Sequence, residues 1–81
     1  MLYQSELELP RDVRDVLPAA AQDLYCRTYN RAWRANRARS ERERDLAAHA
    51  AAWRQVKTSY VKNIDGEWVS RDRRVQMVDD L

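Results

Sequence analysis

Arg27, Arg31, Arg34 and Arg37 are spaced by four, three and three residues. On a helix this spacing lays the guanidinium groups along one side. A guanidinium fork matches two oxygens of a phosphate or carboxylate at once. The chemistry on offer is anion recognition, with nucleic acid, acidic lipid heads or an acidic protein surface as the partner. No acid lies between residues 24 and 40 to neutralise the row. The same spacing also describes a solvated helix face whose arginines pair with Glu41, Glu43 or the acidic N-terminal segment, and rows of charge on helices are usually of that kind.

Other reactive residues are isolated. His49 is the single histidine, so a metal site or a histidine-based catalytic group lacks partners. It is expected to be half-buried and satisfied, and burial would make stability depend on pH near its titration range. Cys26 falls between the apolar and basic faces of its helix and reads as a small filler, although Arg27 beside it would favour a thiolate slightly. The carboxylate pairs Glu6/Glu8 and Asp79/Asp80 lie near the chain ends, a poor setting for general acid–base work. One glycine excludes a glycine-rich phosphate loop. No enzyme activity, metal or cofactor is expected. The aromatic residues Tyr25, Tyr29, Trp33, Trp53, Tyr60 and Trp68 could stack on bases. Core packing is the better reading, because a short chain without Phe has few other large side chains to bury.

These residues need helices to position them. Pro10 suits a first helical turn, and the residue before Pro18 is biased out of the helix, so a short helix is expected over residues 11–16, with Val13, Val16 and Leu17 on one face. A second helix over residues 19–38 places Ala21, Leu24, Tyr25, Thr28, Tyr29, Ala32 and Trp33 in a buried stripe opposite Arg27, Arg31 and Arg34. Ser40-Glu41-Arg42-Glu43 is a capping-box pattern that restarts a helix at Glu41. Leu46, Ala50, Trp53, Lys57 and Tyr60 then keep helical spacing, with His49 and Val56 beside them. A single continuous helix would leave both aromatic stripes without a partner, so a helical hairpin is preferred, with Asn36 as the one residue suited to a left-handed break. Asp65-Gly66 marks a tight turn. Trp68 is expected to fold back over the hairpin, and residues 1–4 are expected to pair with residues 68–70 as a small β ribbon. The fold class is therefore mainly α: one short and two long helices with a minor two-stranded β element. The core is expected to hold Leu17, Leu24, Tyr25, Tyr29, Trp33, Trp53, Tyr60 and Trp68.

An 81-residue chain makes one domain at most. Residues 1–70 are expected to form it, with residues 71–81 as an extension in which Val75, Val78 and Leu81 could form an amphipathic turn or bind a partner. The net charge of +2 hides a basic middle between acidic ends: residues 27–44 hold seven arginines against two acids, and residues 1–23 hold five acids against two arginines. One cysteine excludes an intrachain disulfide. The longest run without charge is residues 46–53, far short of the roughly 20 apolar residues a membrane span needs. No transmembrane segment or signal peptide is visible, and a cytoplasmic location is the simplest expectation.

One ordered set of words spans the chain: Leu9-Pro10, Val16-Leu17-Pro18, Gln22, Tyr25, Asn30, Ala32-Trp33, Ala52-Trp53, Val56-Lys57, Tyr60 and Trp68. In order and spacing it resembles the ChaB family of small bacterial proteins. The resemblance implies a compact, mainly helical domain with a minor β element. It also implies regulation of a cation/proton antiporter that exchanges calcium or sodium for protons. It carries no catalytic residue. Of its polar positions, Asn30 is expected to bond backbone near a terminal segment, and Lys57 to lay its stem over Trp53. Related domains also occur in viruses and beside nucleic-acid-binding modules, so a nucleic-acid or virus–host role for the arginine row stands as the alternative. A third reading is a domain that folds or dimerises on a partner through residues 75–81, and the oligomeric state stays open.

Overall fold

The computed structural model describes residues 2–71. After a 3-10 turn at Glu6–Glu8 come α1 (Arg11–Arg14), α2 (Ala19–Ala35), α3 (Glu41–Ser59), β1 (Tyr60–Lys62) and β2 (Trp68–Ser70). The architecture is mainly helical, with one short and two long helices and a two-stranded antiparallel ribbon. The extension after Arg71, with Val75, Val78 and Leu81, lies outside the described residues.

The two long helices form an antiparallel hairpin. Trp33 meets Arg44, Tyr29 meets Asp45 and His49, and Tyr25 meets His49 and Trp53, in that order along the interface. α2 ends at Ala35, three residues before the expected end, and Asn36 ends it without a left-handed residue. At Asn36 φ is −104°. Its side-chain Nδ2 donates to the Ala32 carbonyl at 2.7 Å, while its own N–H reaches the carbonyls of Ala32 and Trp33. Side chain and backbone of one residue thus converge on the last turn, and the Ala32 carbonyl accepts from both. Arg37 consequently sits in the turn after α2 rather than on it. Ser40 then caps α3 through the expected capping box: its Oγ accepts from the Glu43 N–H at 3.2 Å, and Glu43 Oε1 accepts from the Ser40 N–H at 3.3 Å.

α1 is shorter than expected. It stops at Arg14, and Val13 and Leu17 turn inward while Val16 is 48% exposed. The Gln22 amide fixes this link by donating to the carbonyls of Arg14 (3.1 Å) and Leu17 (2.8 Å). On α2, Ala21, Tyr25, Cys26, Tyr29 and Trp33 are buried, and Leu24 is partly so. α3 is turned from its expected orientation. Its buried residues are Ala48, Ala52 and Val56, while Leu46 is 61% exposed and Ala50 and Lys57 also face outward. The rotation is about one residue step, or roughly 100°. The cause is size: Tyr25, Tyr29 and Trp33 fill the interface from α2, so α3 presents its alanines there. Trp53 remains half-buried at the edge of this face.

The ribbon differs from the expected one. β2 pairs with β1 in the register Tyr60↔Ser70, Val61↔Val69 and Lys62↔Trp68, and residues 2–4 form no strand. A local hairpin closes a much shorter loop than a pairing of distant segments. Its turn is built by Asn63, whose Oδ1 accepts from the N–H groups of Asp65 and Glu67, and by Gly66 at φ 85°. Tyr60, expected on the third helix, starts β1 while its N–H still bonds the Val56 carbonyl. Trp68 returns onto Trp53, with ring centroids 6.0 Å apart. The N-terminal segment docks on α2 instead. Tyr3 is buried with its ring 4.6 Å from that of Tyr29, and Asn30 clamps its backbone, accepting from Tyr3 N–H (3.0 Å) and donating to Tyr3 C=O (2.7 Å).

Candidate functional site

The basic row is a real surface feature with unequal members. Arg27, Arg31 and Arg34 are exposed on α2, opposite its buried stripe, and Arg37 is exposed in the following turn. Arg27 is committed to a neighbour one turn back, with its Nε 3.0 Å from Asp23 Oδ2. Both side chains are more than half exposed, so this pair contributes only about 0–1 kcal/mol. Among the described residues, Arg31, Arg34 and Arg37 make no salt bridge or side-chain hydrogen bond. Arg44 has a structural role instead. Its guanidinium lies 4.2 Å from the centre of a Trp33 ring, and its Nε and Nη2 donate to the Trp33 carbonyl at 3.2 and 2.9 Å. Arg44 therefore ties the start of α3 to the end of α2 through both a ring face and a helix-end carbonyl.

A second polar constellation lies between the long helices. Tyr25 and Tyr29 project from α2, and Asp45 and His49 project from α3 one turn apart. The Tyr29 hydroxyl donates to Asp45 Oδ1 at 2.6 Å, and His49 Nε2 lies 3.3 Å from the same oxygen. With the His49 proton placed on Nε2, toward the carboxylate, Nδ1 is the ring nitrogen that accepts. The Tyr25 hydroxyl donates to that Nδ1 at 2.5 Å. Tyr25 is thus bonded to His49 and Tyr29 to Asp45, and the two pairs meet where the imidazole approaches the carboxylate. Burial is the first cause that pushes both tyrosine hydroxyls above their ordinary pKa of 10.0; for Tyr29 the bond to Asp45 adds to it. A nucleophile needs the reverse shift. Tyr25 is fully buried, so its hydroxyl has no substrate-facing side. This geometry stabilises the hairpin and is unsuited to covalent catalysis.

Cys26 is buried, and desolvation raises its thiol pKa, with Glu6 and Asp23 adding to the effect and Arg27 opposing it. It is held as a thiol rather than a thiolate. Among the described residues no cluster of His, Cys, Asp or Glu is arranged to hold a metal ion. No described helix is long and apolar enough to cross a membrane.

Of the residues proposed for the core, Leu17, Tyr25, Tyr29 and Trp33 are buried, Trp53, Tyr60 and Trp68 are half-buried against them, and Leu24 is partly exposed. Sequence reasoning missed Tyr3, Leu9, Ala48 and Ala52 as interior residues, and Asp45 as the partner of both Tyr29 and His49. The i, i+4 spacing of Asp45 and His49 was the available signal for that last pair.

Fold and site together define a small, mainly helical protein with a partly buried polar cluster between its long helices and an exposed basic row. The chain belongs to the ChaB family, whose model matches residues 9–71. It is 38% identical over 72 residues to the "Putative cation transport regulator ChaB" of Escherichia coli (strain K12), an alignment covering 84% of this chain and 95% of that protein. The proteins of the same name in Escherichia coli O157:H7 and Shigella flexneri match to the same extent. A solution NMR structure of a protein bearing this name superposes with a TM-score of 0.76 at 36% identity, covering 85% of this chain and 97% of that one.

Proposed function

We propose that this chain is a cytoplasmic, non-catalytic regulator that acts by direct protein contact on a cation/proton antiporter exchanging calcium or sodium for protons. The observation that carries the reading is its similarity, over nearly their whole length, to relatives named as cation transport regulators. The cluster between the long helices supports the non-catalytic part, since its two tyrosine hydroxyls are buried and held protonated. Cytoplasmic loops of membrane proteins carry an excess of Lys and Arg. The exposed acids Glu8, Asp12 and Asp15 at the N-terminal end therefore make the better contact for such a loop than the arginine row does. The test is calcium- or sodium-driven proton exchange in everted vesicles carrying the antiporter, followed with a pH-sensitive dye. Purified protein is expected to change the exchange rate, and the effect is expected to fall when Asp12 and Asp15 are replaced by Lys. An unchanged rate over a wide range of protein concentrations contradicts the reading.

The exposed Arg31 and Arg34, without a side-chain partner among the described residues, favour a second reading, in which α2 binds nucleic-acid phosphates. One phosphate contact from each gives a log–log salt slope of about −2 on duplex DNA. Fluorescence anisotropy with a short duplex checks this, and affinity that survives Arg31→Glu with Arg34→Glu removes it.

A further inference from the structure

A groove of about 380 Å³ runs between the α1–α2 link and the start of β2. One wall is Val16, Leu17 and Pro18, and the other is Trp68. Val16 is 48% exposed beside two inward-facing neighbours, Val13 and Leu17, so an apolar side chain stands at the groove mouth without cover among the described residues. Both walls are braced. Gln22 holds the link by its bonds to the Arg14 and Leu17 carbonyls, and Trp68 rests on Trp53. Such bracing suits a largely pre-formed site. The rim is acidic on both sides. Asp15 comes from the end of α1 and Glu67 from the approach to β2; both are exposed, and among the described residues no base lines the groove and neither carboxylate forms a salt bridge.

We propose that this groove is a docking site for an extended protein segment that carries Lys or Arg on either side of an apolar residue. The apolar side chain would cover Val16 and lie against Trp68, and the flanking cations would meet Asp15 and Glu67. Charge complementarity chooses the occupant, because an acidic or neutral segment would leave two carboxylates facing apolar contacts without compensation. The site rests on the protein-contact reading above and specifies the chemistry of the partner for it.

The test is a two-dimensional NMR titration of the full chain with end-blocked synthetic peptides of alternating Lys and Leu, Glu and Leu, or Lys and Ser. The Lys–Leu peptide is expected to shift Val16, Leu17 and the Trp68 indole. The other two are expected to shift them at least tenfold more weakly. Glu67→Lys and Val16→Asp change exposed side chains, and each is expected to abolish the shifts while the rest of the spectrum is unchanged. Three results overturn the site: no shift of the groove at millimolar Lys–Leu peptide, equal shifts with the Glu–Leu peptide, or groove shifts that follow protein concentration alone, which would mean a second copy occupies it. The vesicle assay separates the two proposals. A failed titration with intact control of exchange overturns this groove only. A positive titration without any effect on exchange overturns the antiporter as partner and leaves the groove standing.

Discussion

Tyr29 and Tyr25 each hand a proton toward α3, and their hydroxyls account for much of what makes this interface specific. Tyr29→Phe removes a bond to a carboxylate that is about half exposed, so the loss is placed at the low end for charged acceptors, about 1–2 kcal/mol by urea unfolding. Tyr25→Phe is expected to cost about 1 kcal/mol, because it leaves His49 Nδ1 without its donor. The same hydroxyls set an alkaline limit. Their folded pKa values lie above the ordinary 10.0, so the unfolded chain loses these protons first as pH rises. Their contribution to stability is complete below about pH 10 and declines above it. Stability measured on either side of that value should therefore fall more in the parent chain than in the Tyr25→Phe, Tyr29→Phe double variant, and equal falls contradict the argument. The half-buried state of His49 was legible from its place beside Trp53, and the bond from Asn30 to a terminal segment was legible from its match to the family pattern. The polar cluster itself was not, because it depends on which face α3 turns to α2, and Asp45 alone reads as a surface acid.

The helices were legible wherever local chemistry decides them. The capping box at Ser40 and Glu43 is local, and it appears as expected. Ser40→Ala is predicted to cost about 1 kcal/mol, read by thermal or urea unfolding. Its bonds with Ser40, the side-chain one first, lower the Glu43 pKa below the ordinary 4.5. A lowered acid adds stability above its unfolded pKa and loses it as pH falls through the folded one, so the capping contribution fades below about pH 4.5. Ser40→Ala should thus differ from the parent chain less at pH 3 than at pH 7. Orientation was less legible. Hydrophobicity pointed to Leu46 on α3, whereas the close approach to α2 selects Ala48 and Ala52. This has a direct check: Leu46→Ala should change stability by no more than about 0.5 kcal/mol, while Ala52→Leu should cost about 1–3 kcal/mol by overpacking. The reverse order would return α3 to the orientation read from its leucine. The ribbon was misassigned for a related reason, since the Asn63–Glu67 turn closes it locally and leaves Tyr3 to pack on Tyr29.

At the scale of the molecule, the class of fold could be read from the spacing of apolar residues and the family from an ordered set of words. The surfaces could be read only in part. The arginine row follows from helical periodicity within α2, but the groove joins residues 15–18 to residues 66–68, and no local pattern brings those two segments together. The charge asymmetry of the chain takes on a spatial meaning here: acids line the groove and the N-terminal end, while the basic row lies along α2. A partner with a basic loop and a partner with phosphates would therefore meet different residues of one small protein. The central claim is that the partner is a membrane antiporter reached by protein contact. The most direct measurement is affinity capture of the tagged full chain and its Arg31→Glu, Arg34→Glu variant from source-cell membranes, each with and without nuclease, with mass spectrometry of what is retained. The account predicts a cation/proton antiporter retained by both proteins after nuclease treatment. Loss of every retained partner on nuclease treatment, or on reversal of the two arginines, would contradict it and make the basic row the functional surface.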